Sequence, residues 1–231
     1  MNKIILITGT SKGIGYYLAN YYLNKKFVVI GCSRNNCSIS DDKYAHFKLD
    51  INDEDNVIEM FRKIRTTYGK LDILINNAGI ASMNHSLLTT MQTVNQVLST
   101  NVSANFLFTR ESAKLMQKAK FGRIVNFTTV AAPLNLEGES IYASSKAAVN
   151  SLTKIFSKEL SNFSITVNSI GPTPVKTDLI KSVPKNKIDD LIQRQAIKRF
   201  GTFEDITNVI NFFISSKSDF ITGQTIYLGG I

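Results

Sequence analysis

The chain has 231 residues, 43% of them hydrophobic and 19% charged, which fits one large domain with a sizeable core. Its formal net charge is +9, but the lysines are scattered and no aromatic-interleaved basic stripe occurs, so a solvated basic surface is expected rather than a nucleic-acid face. No apolar run reaches the roughly 18 residues of a membrane-crossing helix. The two histidines and the cysteines Cys32 and Cys37 match no zinc-site spacing, so no metal is expected, and two free thiols suit a reducing cytoplasm.

The first apolar run, "KIILIT" (3–8), is too short for a secretory signal and reads as a buried strand. Six more runs follow as strands: "FVVIGC" (27–32), "HFKLD" (46–50), "LDILIN" (71–76), "RIVNFT" (123–128), "ITVNSI" (165–170) and "QTIYL" (224–228). Amphipathic, helix-period stretches lie near 14–25, 53–68, 90–119, 141–161 and 203–216. Short continuous apolar runs alternating with helices predict a parallel sheet covered on both faces. The expectation is therefore one α/β domain over 1–231, a Rossmann-type doubly wound sheet of about seven strands. The stretch 173–202 stands apart, with two prolines and many charges between a strand and the last helix, and reads as a substrate-side insertion or lid.

"TGTSKGIG" (8–15) follows the first strand and opens the first helix. Gly9, Gly13 and Gly15 let backbone approach a diphosphate and let the helix pack closely, while the helix N-terminus offers N–H groups to the anion. The second strand then ends in "GCSRNN", with Ser33 and Arg34 and no carboxylate before Asp41. An NAD site usually places an acid there for the ribose 2′-hydroxyl. Arg34, joined by Lys12 from the glycine turn, instead suits a 2′-phosphate, so NADP(H) is the expected cofactor.

In "YASSK" (142–146), Tyr142 and Lys146 stand one helical turn apart. A nearby ammonium favours phenolate, so the pair suits proton transfer near neutral pH.

Together "TGTSKGIG", "LDI" (49–51), "NNAG" (76–79), "TNVSANF" (100–106), "GRIVNFTT" (122–129), "YASSK", "ITVNSIGP" (165–172) and "ITGQT" (221–225) resemble the short-chain dehydrogenase/reductase family over nearly the whole chain. The resemblance implies carbonyl reduction by hydride transfer, with Tyr142 as general acid, Lys146 tuning it and binding the nicotinamide ribose, and Asn101 holding a water in a proton relay. It further implies cofactor contacts from Ser11, Ile14, Asp50, Ile51, Asn77, Ala78, Gly79, Pro172, Val175 and Thr177. Two departures stand out. Where the family usually has serine thirteen positions before the tyrosine, this chain has Thr129, preceded by Thr128; threonine keeps the hydroxyl and stiffens χ1. The usual Pro-Gly after the sixth strand is Pro172-Thr173.

Relatives of similar appearance are 3-oxoacyl-carrier-protein reductases, so a 3-oxoacyl thioester is the expected substrate, and an acidic acyl carrier protein suits the basic charge. Against this, the position before "ITVN", often basic in such enzymes, lies in "NFS" with Phe163 and no cation. A keto sugar or other small polar carbonyl is the alternative, and a non-catalytic NADPH-binding regulator is the alternative of another class. The long helices near 90–119 and 141–161 are expected, from the resemblance, to build a homotetramer or homodimer.

Overall fold

A computed structural model describes residues 3–180 and 183–231. Seven strands form one parallel sheet: β1 (Ile4–Thr8), β2 (Val28–Ser33), β3 (Tyr44–Lys48), β4 (Ile73–Asn76), β5 (Gly122–Phe127), β6 (Ile165–Gly171) and β7 (Thr225–Tyr227). Their spatial order is β3-β2-β1-β4-β5-β6-β7. The chain runs outward from β1 to β3, then returns to the other side of β1 with β4, pairing Ile5 with Ile73 and Ile7 with Ile75. This reversal leaves a crevice beyond the carboxyl ends of β1 and β4, where doubly wound sheets bind ligands.

Side-chain alternation explains why both faces are apolar. Ile4, Leu6, Ile30, Leu74, Ile124 and Val167 point to one face, against α2 (Glu54–Tyr68), α4 (Ala104–Ala119) and α6 (Ser140–Glu159), which contribute Met60, Phe108 and Phe156. Ile5, Ile7, Val29, Ile73, Val125 and Ile170 point to the other, against α1 (Gly13–Asn24) and α8 (Phe203–Ile214), which contribute Tyr22 and Phe213. The start of α8 is fixed by a capping box between Thr202 and Asp205. No helix of the described residues is long and apolar enough to cross a membrane.

Three departures from the sequence expectation shape the surroundings of the crevice. The stretch expected as one helix over 90–119 is α3 (Met91–Leu98), a π-turn at Ser99–Ser103 and α4. The third strand begins two residues earlier than expected, because pairing of Val29 with Tyr44 sets its register. Within 173–202, α7 (Lys185–Gln193) forms, and a bridge between Val175 and Gly201 closes the ends of the segment onto each other. Residues 181 and 182 of that expected lid lie outside the described residues.

Candidate active site

The turn after β1 places Gly9 at φ +78° and Gly13 at φ +60°, the left-handed region that side chains avoid. A Cβ on Gly9 would stand 3.0 Å from Asn77 Nδ2. Asn77 also locks the turn to β4: its Nδ2 donates to the Thr8 carbonyl at 2.8 Å, while the N–H groups of Asn77 and Ala78 donate to Thr8 Oγ1 at 3.0 and 2.9 Å. Lys12 is the residue before α1, yet among the described residues no side chain caps that N-terminus, and no acid sits in the first turn. The free N–H groups and the positive end of the helix dipole therefore face the crevice.

The crevice is a cavity of about 940 Å³. Of the residues singled out from the sequence, all line it except Gly15 and Asn101, which stand behind its wall. Gly15 packs α1 onto the turn, where a Cβ would fall 2.2 Å from the Gly9 carbonyl oxygen. Asn101 is buried in the π-turn, with Oδ1 accepting from the Ile80 N–H at 2.9 Å and Nδ2 donating to the Ile80 carbonyl at 3.0 Å and to Ser145 Oγ at 2.9 Å. Ser145 in turn donates to the Tyr142 carbonyl at 2.7 Å, so the π-turn grips the turn of α6 that carries Tyr142. A Cβ on Gly79 would meet Asn101 Oδ1 at 3.1 Å and Lys146 Nζ at 3.2 Å, so only glycine leaves those groups their space.

Beyond β5, Thr129 and Thr128 divide their tasks. Thr128 is buried and its hydroxyl donates to the Lys146 carbonyl at 3.2 Å. Thr129 accepts from the Ala131 N–H at 3.3 Å and shares a hydrogen bond with the Tyr142 phenol. Lys146 Nζ donates to the Phe127 carbonyl at 2.8 Å. The sequence expectation was that Lys146 lowers the phenol pKa. In this cavity, burial instead pushes Tyr142 up to about 12, with the Thr129 hydrogen bond opposing and the Glu139 charge adding to the rise. Burial also pushes Lys146 down to about 8. Desolvation penalises both charged forms, and here it outweighs the attraction between them.

At the end of the cavity next to β2, Arg34 is exposed beside buried Ser33. Lys12, expected to join Arg34 on a phosphate, lies 3.6 Å from Asp178 Oδ2, so a carboxylate does sit in this part of the crevice. Both partners are exposed, and such a pair contributes only about 0.2–1 kcal/mol. At the opposite end Met83, Leu136, Val183, Ile188 and Leu191 give an apolar wall. Lys187 Nζ of α7 reaches across to Glu137 Oε2 at 3.8 Å.

Sequence reasoning did not find Ser145 or the Phe127 carbonyl as parts of this site; it did expect the segment between Thr129 and Tyr142, Glu139 included, to line the pocket, and Glu139 does. Ser145 had a signal, a small hydroxyl one position before Lys146. The carbonyl had none, because any residue supplies one. What the sequence did not show is how Glu139, three positions before Tyr142, is held. Its carboxylate does not cap α6; it lines the cavity, its Oε2 is buried without a hydrogen-bond partner, and burial pushes its pKa up.

Comparison with known proteins gives the lineage of this arrangement. The family model described as enoyl-(acyl carrier protein) reductase matches residues 9–230. The 3-oxoacyl-[acyl-carrier-protein] reductase FabG of Staphylococcus epidermidis is 30% identical, covering 100% of this chain and 98% of its own. The chain belongs to the short-chain dehydrogenase/reductase family. As a short-chain dehydrogenase/reductase it is an oxidoreductase with the Rossmann-like sheet described above. Two solved members of similar shape are 4-hydroxyisoleucine dehydrogenase complexed with NADH (TM-score 0.89, 31% identity, 99% of this chain and 98% of that one) and ElxO with NADP bound (TM-score 0.90, 30% identity, 99% and 97%). Members equally similar to this chain thus bind different nicotinamide cofactors, and the choice rests on local residues.

Proposed function

We propose that this protein uses NADPH to reduce a carbonyl to a hydroxyl, and that its substrate is a 3-oxoacyl thioester presented on an acyl carrier protein or coenzyme A. The observation that carries the reaction is continuity: one cavity joins the uncapped N-terminus of α1 and Arg34 to the Thr129, Tyr142 and Lys146 side chains. The FabG relative and the net charge of +9 support the thioester and an acidic carrier.

The residues fit the cofactor. The open N–H groups of α1 and the glycine turn would hold the diphosphate, Arg34 and Lys12 the 2′-phosphate, Asp50 and Ile51 the adenosine side, and Pro172, Val175 and Thr177 the nicotinamide side. The weak Lys12–Asp178 pair would yield to a phosphate. When bound, the cofactor supplies a hydride. Tyr142, neutral at physiological pH, gives its phenolic proton to the carbonyl oxygen. Thr129 offers its hydroxyl to the same oxygen as negative charge develops there. Lys146 restores the phenol proton, and Asn101 keeps α6 and the Gly79 backbone in place for both. The segment 173–202 acts as the lid, with α7 over the substrate. A homodimer or homotetramer accords with this reading, since Phe106 of α4 and Ile155 of α6 are exposed, and the free thiols of Cys32 and Cys37 suit a cytoplasmic setting.

A second substrate, a keto sugar or other small polar carbonyl compound, is favoured by one observation: the buried, unpartnered Oε2 of Glu139 is an acceptor waiting for a donor that a plain acyl chain lacks. The test is NADPH consumption with 3-oxoacyl thioesters, keto sugars, simple ketones and 2-enoyl thioesters. Preference for the 3-oxoacyl thioester supports the first reading, preference for the sugars supports the second, and turnover of the enoyl thioester alone contradicts carbonyl reduction.

Two expected results follow from the same assignments. NADPH should be preferred to NADH by more than about tenfold in kcat/KM, because a charge-assisted contact to the 2′-phosphate is at stake. Arg34→Asp should flatten or reverse this; equal values in the wild type would contradict it. The pH profile should also carry the mark of Lys146. A lysine held at about 8 is charged below that pH and neutral above it, whereas Tyr142 at about 12 keeps its proton throughout. Reduction should therefore be level between about pH 6 and 7 and decline above about 8, whereas a profile level to pH 10 would remove Lys146 from the proton path.

A further inference from the structure

Beneath the adenosine end of the cavity, His46 on β3 stands behind the wall, within hydrogen-bond distance of polar groups of which Ser33 and Asn35 line the cavity. Its Nε2 lies 3.0 Å from the Asn35 carbonyl and 3.2 Å from Ser33 Oγ. Its Nδ1 lies 3.0 Å from the Tyr44 hydroxyl and 3.5 Å from Thr10 Oγ1. The Tyr44 hydroxyl is itself 2.9 Å from Thr10 Oγ1. A carbonyl can only accept, so Nε2 carries a proton. Ser33 gives its own proton to the Asn35 carbonyl at 2.8 Å, which leaves the Ser33 oxygen free to accept from Nε2 as well. The ring therefore ties Ser33 and Asn35, the two neighbours of Arg34, to Tyr44 and through it to Thr10 in the glycine turn.

Two further facts show that this network is built in. A Cβ on Gly31 would fall 2.3 Å from the Tyr44 hydroxyl and 2.4 Å from Thr10 Oγ1, so β2 gives up a side chain to admit it. The last backbone bond of β2 to β3 runs from the Leu49 N–H to the Ser33 carbonyl at 3.0 Å, and among the described residues no backbone hydrogen bond fixes 34–37. What holds the Arg34 loop is side chains, and His46 makes two of those contacts.

We propose that His46 is a positioning residue for cofactor choice, holding the Arg34 loop at a set distance from the glycine turn so that one 2′-phosphate is met by both. This rests on the NADPH reading above. Other network members support the frame: Thr10 is fully buried, and Cys37 Sγ donates to its carbonyl at 3.3 Å from the far end of the loop. NADH, lacking the phosphate, has little need of this arrangement.

The test compares dissociation constants for NADPH and NADH, by cofactor fluorescence, in the wild type, His46→Ala and His46→Gln. His46→Ala should weaken NADPH about tenfold, the scale of one or two lost hydrogen bonds, while NADH changes less than about twofold. In turnover the loss should sit in KM for NADPH and not in kcat. His46→Gln, whose amide can give N–H to Ser33 and Asn35 and accept from the Thr10 hydroxyl, should recover most of the affinity. A wild type that binds both cofactors equally overturns the 2′-phosphate reading itself. A wild-type preference that survives His46→Ala, or a variant that loses both cofactors equally, overturns the role of His46 alone.

Discussion

Tyr142→Phe should reduce turnover by on the order of 10²–10⁴ while the fold and NADPH binding persist. The ring keeps its packing in α6, and the variant loses only the phenolic oxygen and its bond with Thr129. At a pKa of about 12 the wild-type phenol is protonated across the physiological range, so it stands ready as an acid without prior ionisation. The phenylalanine variant has no proton to give, and the charge developing on the carbonyl oxygen has one fewer partner. Steady-state turnover and NADPH titration on the same preparation separate the two effects. Normal turnover in this variant would remove the proposed proton donor; loss of NADPH binding with loss of turnover would instead point to a damaged cavity.

Thr129→Val should lower kcat by on the order of 10²–10³, the scale of one lost oxyanion donor. Valine keeps the volume and the β-branch, so the β5 end and the start of α5 (Ala131–Leu134) retain their shape. Thr129→Ser should keep most activity, because the hydroxyl is what the reaction uses and the Ala131 N–H still has an acceptor to anchor it. Thr128 cannot readily substitute, since its hydroxyl is committed to the Lys146 carbonyl at 3.2 Å inside the core. A valine variant with ordinary kcat would show that a group other than residue 129 stabilises the oxygen.

The parts of this protein that were legible in its sequence are those where chemistry restricts residue type. The "IILIT" run is buried at every position because a central parallel strand is covered on both faces, and that state leaves an unbroken apolar run. Gly9 and Gly13 were legible because their backbone conformation excludes side chains. Tyr142 and Lys146 were legible because a helical turn fixes their separation. The π-turn at Ser99–Ser103 was hidden: hydrophobic periodicity cannot register one extra residue in a turn, and nothing local in "STNVS" says that Asn101 will bond to Ile80 and Ser145. The Lys12–Asp178 pair was hidden too, since it joins the glycine turn to the segment after β6 and depends on how the two are laid together. The phenol pKa shift was misjudged, and the lysine shift went unforeseen, for a related reason. Spacing reveals that two charges are near each other; how much water reaches them follows only from tertiary packing.

Whether NADPH delivers hydride to a carbonyl in this cavity can be read by following the hydride itself. NADPH deuterated at C4 on the transferred face would be incubated with the protein and the best carbonyl substrate, and the product alcohol analysed by mass spectrometry and NMR. The expected result is deuterium on the carbinol carbon, transferred from one face of the cofactor, with the signal nearly abolished in Tyr142→Phe. Tight NADPH binding with no deuterium in any alcohol across the carbonyl panel would contradict it.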